Sequence, residues 1–228
     1  MSAAGGTLDG MSDPVLDENA VRWSTDAADR ADRPLLVLLH GYGSDEADLF
    51  GLVPHLPEGF TVAALRAPLA PPWPAPGYSW YPIEGLESRD PAAVTAAARA
   101  VLAWIDAQGF GHSRVGLLGF SQGAAVAMQA MRLAPGRFAF GVNLAGYVTP
   151  GILPGDEVLR DERPPIFWGR GTHDDVIPDA LVAHTTAWLP EHSDLSGRVY
   201  PGLTHSVSAD ELADVHVFLT KRLADDAE

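Results

Sequence analysis

The residues with the clearest chemical potential are Gly119-Phe120-Ser121-Gln122-Gly123. A serine hydroxyl is a weak nucleophile, and it reacts well only when a neighbouring base takes its proton and the backbone exposes its oxygen. The apolar run from Val115 to Leu118 reads as a buried strand, and the small-residue run from Ala124 to Met131 reads as a helix. Glycines two places before and two places after Ser121 let the chain bend sharply between those elements, aiming a helix N-terminus at the reacting atom. The competing reading is a glycine-rich turn with a capping serine.

A base for Ser121 is best sought among imidazoles, whose ordinary pKa lies near neutrality. The chain has 8 histidines. His205 is favoured, because it follows the short strand Gly197 to Tyr200 and precedes Ser206-Val207-Ser208, which leads into the last helix. His112, His184, His192 and His216 read as surface or interface residues, His40 as a group that orders the Gly41-Tyr42-Gly43 turn, and His55 has no recognisable context. The imidazole needs a carboxylate to hold its tautomer. Asp174 in Gly171-Thr172-His173-Asp174-Asp175 is favoured, with Asp175 the alternative and the expected cap of the next helix. Attack on a carbonyl builds charge on its oxygen, and main-chain N–H groups stabilise that charge by roughly 3 to 4 kcal/mol each. The amides of Gln122 and Tyr42 are the expected donors, the latter freed to turn by the glycines on either side.

These residues need a frame. Pro34 to Leu39, Phe60 to Leu65, Val115 to Leu118, Phe138 to Ala145 and Ile166 to Gly169 read as strands, with Val21 to Ser24 as an edge strand. Helices are expected from Ser44 or Asp45 through Val53, over Pro91 to Gln108 behind the cap Asp90, over Asp179 to Leu189 and over Ala209 to Ala224. Alternation of this kind predicts an α/β fold with a mostly parallel sheet covered by helices on both faces. Residues 1–19 read as a flexible tail and 20–228 as a single domain. The segment Gly146 to Pro164 is too short for a separate cap domain, which predicts an open site. The irregular segment Pro68 to Pro82 offers Trp73, Tyr78, Trp80 and Tyr81 as one wall of a substrate pocket, the alternative being that they pin the loop to the core. The acids Asp45, Glu46 and Asp48 read as a cap and first-turn partners of a helix dipole, and not as a metal site.

The formal net charge of -15 sets this chain against phosphate backbones and anionic membrane surfaces, so nucleic acid is not an expected partner. The absence of cysteine excludes disulfides, a thiol nucleophile and thiolate metal sites. No apolar run approaches membrane-spanning length and no leader pattern is visible, which gives a cytoplasmic protein as the expectation.

With these residues in hand, the sequence resembles the phospholipase/carboxylesterase family of α/β-hydrolases from about Pro34 to the C-terminal helix. The resemblance is carried by Leu39-His40-Gly41-Tyr42-Gly43, Ala67-Pro68, Ser79-Trp80-Tyr81, Gly119-Phe120-Ser121-Gln122-Gly123, Asp174 with Ile177-Pro178, and Tyr200, Gly202 and His205. It implies Ser121 as nucleophile, Asp174 as acid, His205 as base and the Tyr42 and Gln122 amides as oxyanion donors. Many members carry His-Gly-Asp ahead of the acid, where this chain has Arg170-Gly171-Thr172. The implied activity is a cofactor-independent serine carboxylesterase acting on small or medium acyl esters. Acyl-protein thioesterase or lysophospholipase activity is the enzymatic alternative, and a non-catalytic ligand-binding module the alternative of another class.

Overall fold

A computed structural model describes residues 14–83, 89–111 and 114–225. The strands are β1 (Arg22–Trp23), β2 (Leu35–Leu39), β3 (Thr61–Leu65), β4 (Val115–Phe120), β5 (Phe140–Leu144), β6 (Pro165–Gly171) and β7 (Asp194–Tyr200). Among the described residues they form one sheet in the order β1-β3-β2-β4-β5-β6-β7. All neighbours pair in parallel except the edge strand β1, which runs antiparallel to β3. The helices are α1 (Glu46–Phe50), α2 (Pro91–Ala107), α3 (Gln122–Leu133), α4 (Gly155–Glu162), α5 (Asp179–His192) and α6 (Ala209–Asp225).

Why β2 reads as an unbroken aliphatic run is visible in its packing. Leu35, Val37 and Leu39 face a cluster with Val101 and Ile105 of α2, whereas Leu36 and Leu38 face a cluster with Val215 and Leu219 of α6. Successive side chains of a strand point to opposite faces, so a strand covered on both sides has no polar position to spare. Its neighbour β4 is wedged between β2 and β5, with Leu39 opposite Gly119 and Phe120 opposite Leu144. The turn after β4 is therefore mid-sheet at the carboxyl ends of parallel strands, where α/β folds place ligand sites.

Two helices start for local reasons. Asp90 accepts a hydrogen bond from the Ala92 amide at 2.9 Å and Pro91 occupies the first helical position of α2. Asp45 caps α1 through the Ala47 amide at 2.8 Å, while Ser44 donates to Asp48 instead of capping.

The chain departs from the sequence expectation in two places. Within residues 14–19, expected as the end of a flexible tail, Leu16 joins the core and Asp17 caps a 3-10 turn over Glu18–Ala20, while Val15 stays exposed. The rest of the expected tail, residues 1–13, lies outside the described residues. The connection between β5 and β6 contains α4, which has too few apolar residues to announce itself. Tertiary contacts hold it, with Arg132 donating to both carboxylate oxygens of Asp156 at 2.7 and 2.8 Å, and to the carbonyls of Thr149 and Gly151 at 2.6 and 2.7 Å. Among the described residues, no helix is long and apolar enough to cross a membrane.

Leu117, fully buried in β4, measures how far the site's platform depends on this core. Leu117→Ala should cost about 2 to 5 kcal/mol in urea unfolding, with an unchanged denaturant slope. A loss under about 1 kcal/mol would show that the sheet beneath the turn collapses around the missing methyls.

Candidate active site

Ser121 sits between β4 and α3 with φ 54° and ψ -115°, a conformation that side-chain-bearing residues rarely adopt. Its N–H donates to the Leu144 carbonyl at 2.9 Å, and its carbonyl accepts the Ala125 N–H at 3.1 Å as the first turn of α3 closes. The glycines of the motif are required by proximity. A Cβ on Gly119 would strike the Ala124 backbone, and one on Gly123 would strike the Leu39 carbonyl. Such a conformation costs on the order of 1 to 3 kcal/mol and persists only where the surroundings enforce it.

The loops after β6 and β7 bring Asp174 and His205 to this serine. The Ser121 hydroxyl lies 2.8 Å from His205 Nε2, and His205 Nδ1 lies 2.8 Å from Asp174 Oδ2. The carboxylate can only accept, so Nδ1 carries the proton and Nε2 presents its lone pair to the serine O–H. The other carboxylate oxygen accepts the Val176 and Ile177 amides at 3.0 and 3.2 Å. Burial pushes the Asp174 carboxyl up, but the His205 hydrogen bond and charge and these two amides outweigh it and hold the group below its ordinary value. The Phe120 ring packs 5.0 Å from the imidazole and restricts its tilt. Asp175 is exposed and caps nothing, since Asp174 takes the turn amides and α5 starts behind Pro178.

Four of the other described histidines sit outside this relay. His40 Nδ1 donates to the Gly41 carbonyl at 2.7 Å and Nε2 accepts the Ala67 N–H at 3.1 Å, which fixes a neutral ring that burial also favours by lowering its pKa. It orders the turn ahead of Tyr42. His192 stacks on Trp188 at 4.0 Å, His216 donates to the His55 carbonyl at 3.0 Å, and His184 is half-buried on α5. His112 lies outside the described residues.

Tyr42 and Gln122 border the same cavity as Ser121 and His205. The Tyr42 turn is bolted to the proline-rich loop, with Gly43 N–H donating to the Tyr78 carbonyl at 2.9 Å and Tyr78 N–H to the Ser44 carbonyl at 2.7 Å. The Gln122 side chain is a strap. Its Nε2 donates to the Tyr81 carbonyl at 2.7 Å and its Oε1 accepts the Trp80 N–H at 2.8 Å. With the side chain so occupied, what Gln122 offers the cavity is the main-chain N–H at the start of α3, a position without an intrahelical acceptor.

The expected aromatic wall is corrected here. Trp80 is 1% exposed and donates from Nε1 to the His40 carbonyl at 2.8 Å, so it pins the loop to the core. Tyr78 lies under the Arg66 guanidinium at 4.6 Å, and Arg66 is engaged by Glu46 at 2.6 and 2.7 Å. Trp73 stands 92% exposed. None of these three lines the cavity, whereas Tyr81 does. The cavity of about 270 Å³ is walled instead by Phe120, Ile83, Tyr147, Val176 and Ile177. Tyr147, Val176 and Ile177 escaped sequence reasoning, although each follows the carboxyl end of a strand within a few residues, where ligand-facing loops arise.

Comparison with known proteins places this arrangement in context. A model of the family described as phospholipase/carboxylesterase matches residues 23–223. Acyl-protein thioesterase 1 of Saccharomyces cerevisiae is 34% identical over 110 residues, which is 46% of this chain and 48% of that protein. Carboxylesterase SOBER1 of Arabidopsis thaliana is 29% identical over 156 residues, 64% of this chain and 68% of that protein. The chain thus aligns with about half the length of the yeast relative. The crystal structure of the Bacillus cereus carboxylesterase shares the fold, with a TM-score of 0.76 at 15% identity over 89% of this chain and 93% of that one.

One buried carboxyl stands just behind the His205 loop. Ser208 Oγ accepts the Glu211 N–H at 3.1 Å at the start of α6, and the Glu211 side chain packs so closely on Gly169 that a Cβ there would strike Oε1. Glu211 is 0% exposed, and neither carboxylate oxygen has a hydrogen-bond partner among the described residues. Burial raises this carboxyl to about 7, the Ser208 hydrogen bond opposing and the Asp214 charge adding. The folded chain therefore keeps a proton that the unfolded chain, with an ordinary value of 4.5, releases. Stability should fall as pH rises from about 4.5 to about 7, by about 3 kcal/mol in all, and level off above. Glu211→Gln removes this ionisation, so urea unfolding at pH 5 and pH 8 should show the variant losing about 2.5 kcal/mol less than the parent. Identical losses would place the proton elsewhere.

Proposed function

Because the chain belongs to the phospholipase/carboxylesterase family of α/β-hydrolases, we propose that it is a serine carboxylesterase that cleaves small or medium acyl esters through an acyl-Ser121 intermediate. The observation that carries this reading is the unbroken relay from Ser121 Oγ to His205 to Asp174, with both links at 2.8 Å, on the rim of an apolar cavity. His205 Nε2 takes the serine proton as Oγ bonds to the acyl carbon, and passes it to the departing alcohol oxygen as the ester bond breaks. Water then loses a proton to the same nitrogen while attacking the acyl carbon, which releases the acid and restores the serine. Asp174 stays ionised throughout and stabilises the imidazolium. The Tyr42 and Gln122 amides receive the oxyanion of each tetrahedral intermediate, a contribution worth roughly 10² to 10³ in rate for each donor.

Each step moves only protons and an acyl group, so the reading assigns no cofactor and no metal. Its partner is a small-molecule ester, and a net charge of -15 disfavours nucleic acid. Trp73, Tyr78 and Trp80 are assigned no direct contact with substrate. An acyl-protein thioesterase reading is favoured by the yeast relative at 34% identity, and lysophospholipase activity would use the same relay. Matched oxyester and thioester substrates compared by kcat/KM separate them.

Ser121→Ala should abolish turnover of a p-nitrophenyl acylate. Asp174→Asn should lower kcat by about 10⁴ through loss of the Nδ1–H tautomer, and Asp175→Asn should stay close to the parent. Retained activity in the serine variant, or the large loss appearing at position 175 instead, would contradict the assignment.

A further inference from the structure

One buried titratable group, Glu211, takes no part in the relay yet stands where its two loops are joined. Past β6 and β7 the chain is stitched across. Thr172 N–H donates to the Tyr200 carbonyl at 3.0 Å, His173 N–H to the Leu203 carbonyl at 2.9 Å and Gly202 N–H to Thr172 Oγ1 at 2.8 Å. The loop holding His205 can lie this close because β6 carries glycine at alternate positions on one face. A Cβ on Gly171 would strike the Leu203 carbonyl, and one on Gly169 would strike Glu211 Oε1. The Glu211 carboxyl thus fills the second of these gaps, while its N–H is held by Ser208, the residue that leads from the His205 loop into α6. Ser208 and Glu211 have the spacing at which a glutamate side chain reaches back to the N–H of the capping residue. Here the side chain turns to β6 instead, and both oxygens are buried with no hydrogen-bond partner among the described residues.

Resting on the esterase reading above, we propose that Glu211 is a positioning residue: its uncharged carboxyl, seated against Gly169, holds the His205 loop on β6, and the ionised carboxylate leaves that seat and draws His205 away from Ser121. A buried carboxylate without hydrogen bonds or a counter-charge is among the costliest groups a protein can hold, so ionisation drives the side chain towards water. Its surroundings give no relief. On α6, Asp214 adds a like charge. On β7, the Tyr200 hydroxyl donates to Asp214 at 2.9 Å, and Arg198 lies 3.5 Å from the same carboxylate. On β6, Phe167 shares the face of Gly169, whereas Arg170 lies over the Trp168 ring at 5.6 Å on the opposite face. Because Ser208 caps α6 through the Glu211 N–H, a side chain that swings out carries the first turn of α6 with it, and residues 205–208 follow. Burial raises this carboxyl to about 7, so the seat is filled below that pH and lost as pH rises through it.

The test is the pH profile of kcat for p-nitrophenyl butyrate from about pH 5.5 to about pH 9, in the parent and in Glu211→Gln, which keeps the shape of the neutral carboxyl and cannot ionise. Both proteins need a neutral His205 and share the rising acid limb. In the parent, kcat should then fall by about tenfold per pH unit above a midpoint near 7, with KM little changed, whereas in the variant it should level off. Amide hydrogen exchange of the parent, compared as protection factors at about pH 6 and about pH 8.5, is a second readout that needs no variant. Peptides spanning residues 203–212 should lose about tenfold more protection than those of β4 and β5. A parent kcat that stays level above pH 7, a falling limb that survives in Glu211→Gln, or equal changes in protection would each overturn the proposal and leave the esterase reading standing. Absence of turnover in the parent at every pH would overturn the reading on which it rests.

Discussion

The backbone of residue 121, held at φ 54°, is the constraint on which the rest depends. A serine left to itself would relax into an ordinary helical or extended conformation and turn its hydroxyl away from the imidazole. It is kept in place from three sides. Its N–H is taken by β5 through Leu144, its carbonyl starts α3 through Ala125, and the glycines at 119 and 123 let the helix approach β2 and β4 more closely than any side chain permits. The strain is small beside the burial of the strands around it, and it persists because the surroundings overdetermine the position.

A polar brace extends this rigidity outwards. Gln122 ties α3 to the loop at Tyr81 and Trp80, Trp80 ties that loop to the carbonyl of His40, and His40 ties its own turn to Ala67. The Tyr42 amide thus belongs to a network that includes the start of α3. Farther out, Glu46 and Arg66 form a charge-assisted pair over the Tyr78 ring and hold α1 against the end of β3. The loop rich in proline and aromatic residues is a strut for the Tyr42 turn, with Trp80 buried against the core and Trp73 left exposed.

Much of this was legible in the sequence because the signals were local. An unbroken aliphatic run marked β2 and largely apolar runs marked β3 to β5, Asp90-Pro91 marked the start of α2, and the order of Ser121, Asp174 and His205 along the chain followed from the loops at strand ends. What escaped was settled by partners distant in sequence. The helix Gly155–Glu162 depends on the buried Arg132–Asp156 pair, whose members are 24 positions apart. Trp80 and Tyr81 are adjacent yet face opposite duties, one pinned to His40 and the other opening on the cavity, and composition cannot tell alternate sides of a loop apart. Leu16 reads as tail because its few neighbours in sequence are polar, and only the folded sheet supplies the surface that buries it.

The central claim is that the Ser121 oxygen becomes covalently bound to the acyl group during turnover. Rapid acid quench during hydrolysis of a p-nitrophenyl acylate, followed by mass spectrometry of the proteolytic peptides, tests it directly. The account predicts a burst of one p-nitrophenolate per enzyme and an acyl mass on the peptide containing Ser121, with none elsewhere. Steady turnover with no adduct on that peptide, or an adduct on a different residue, would contradict it.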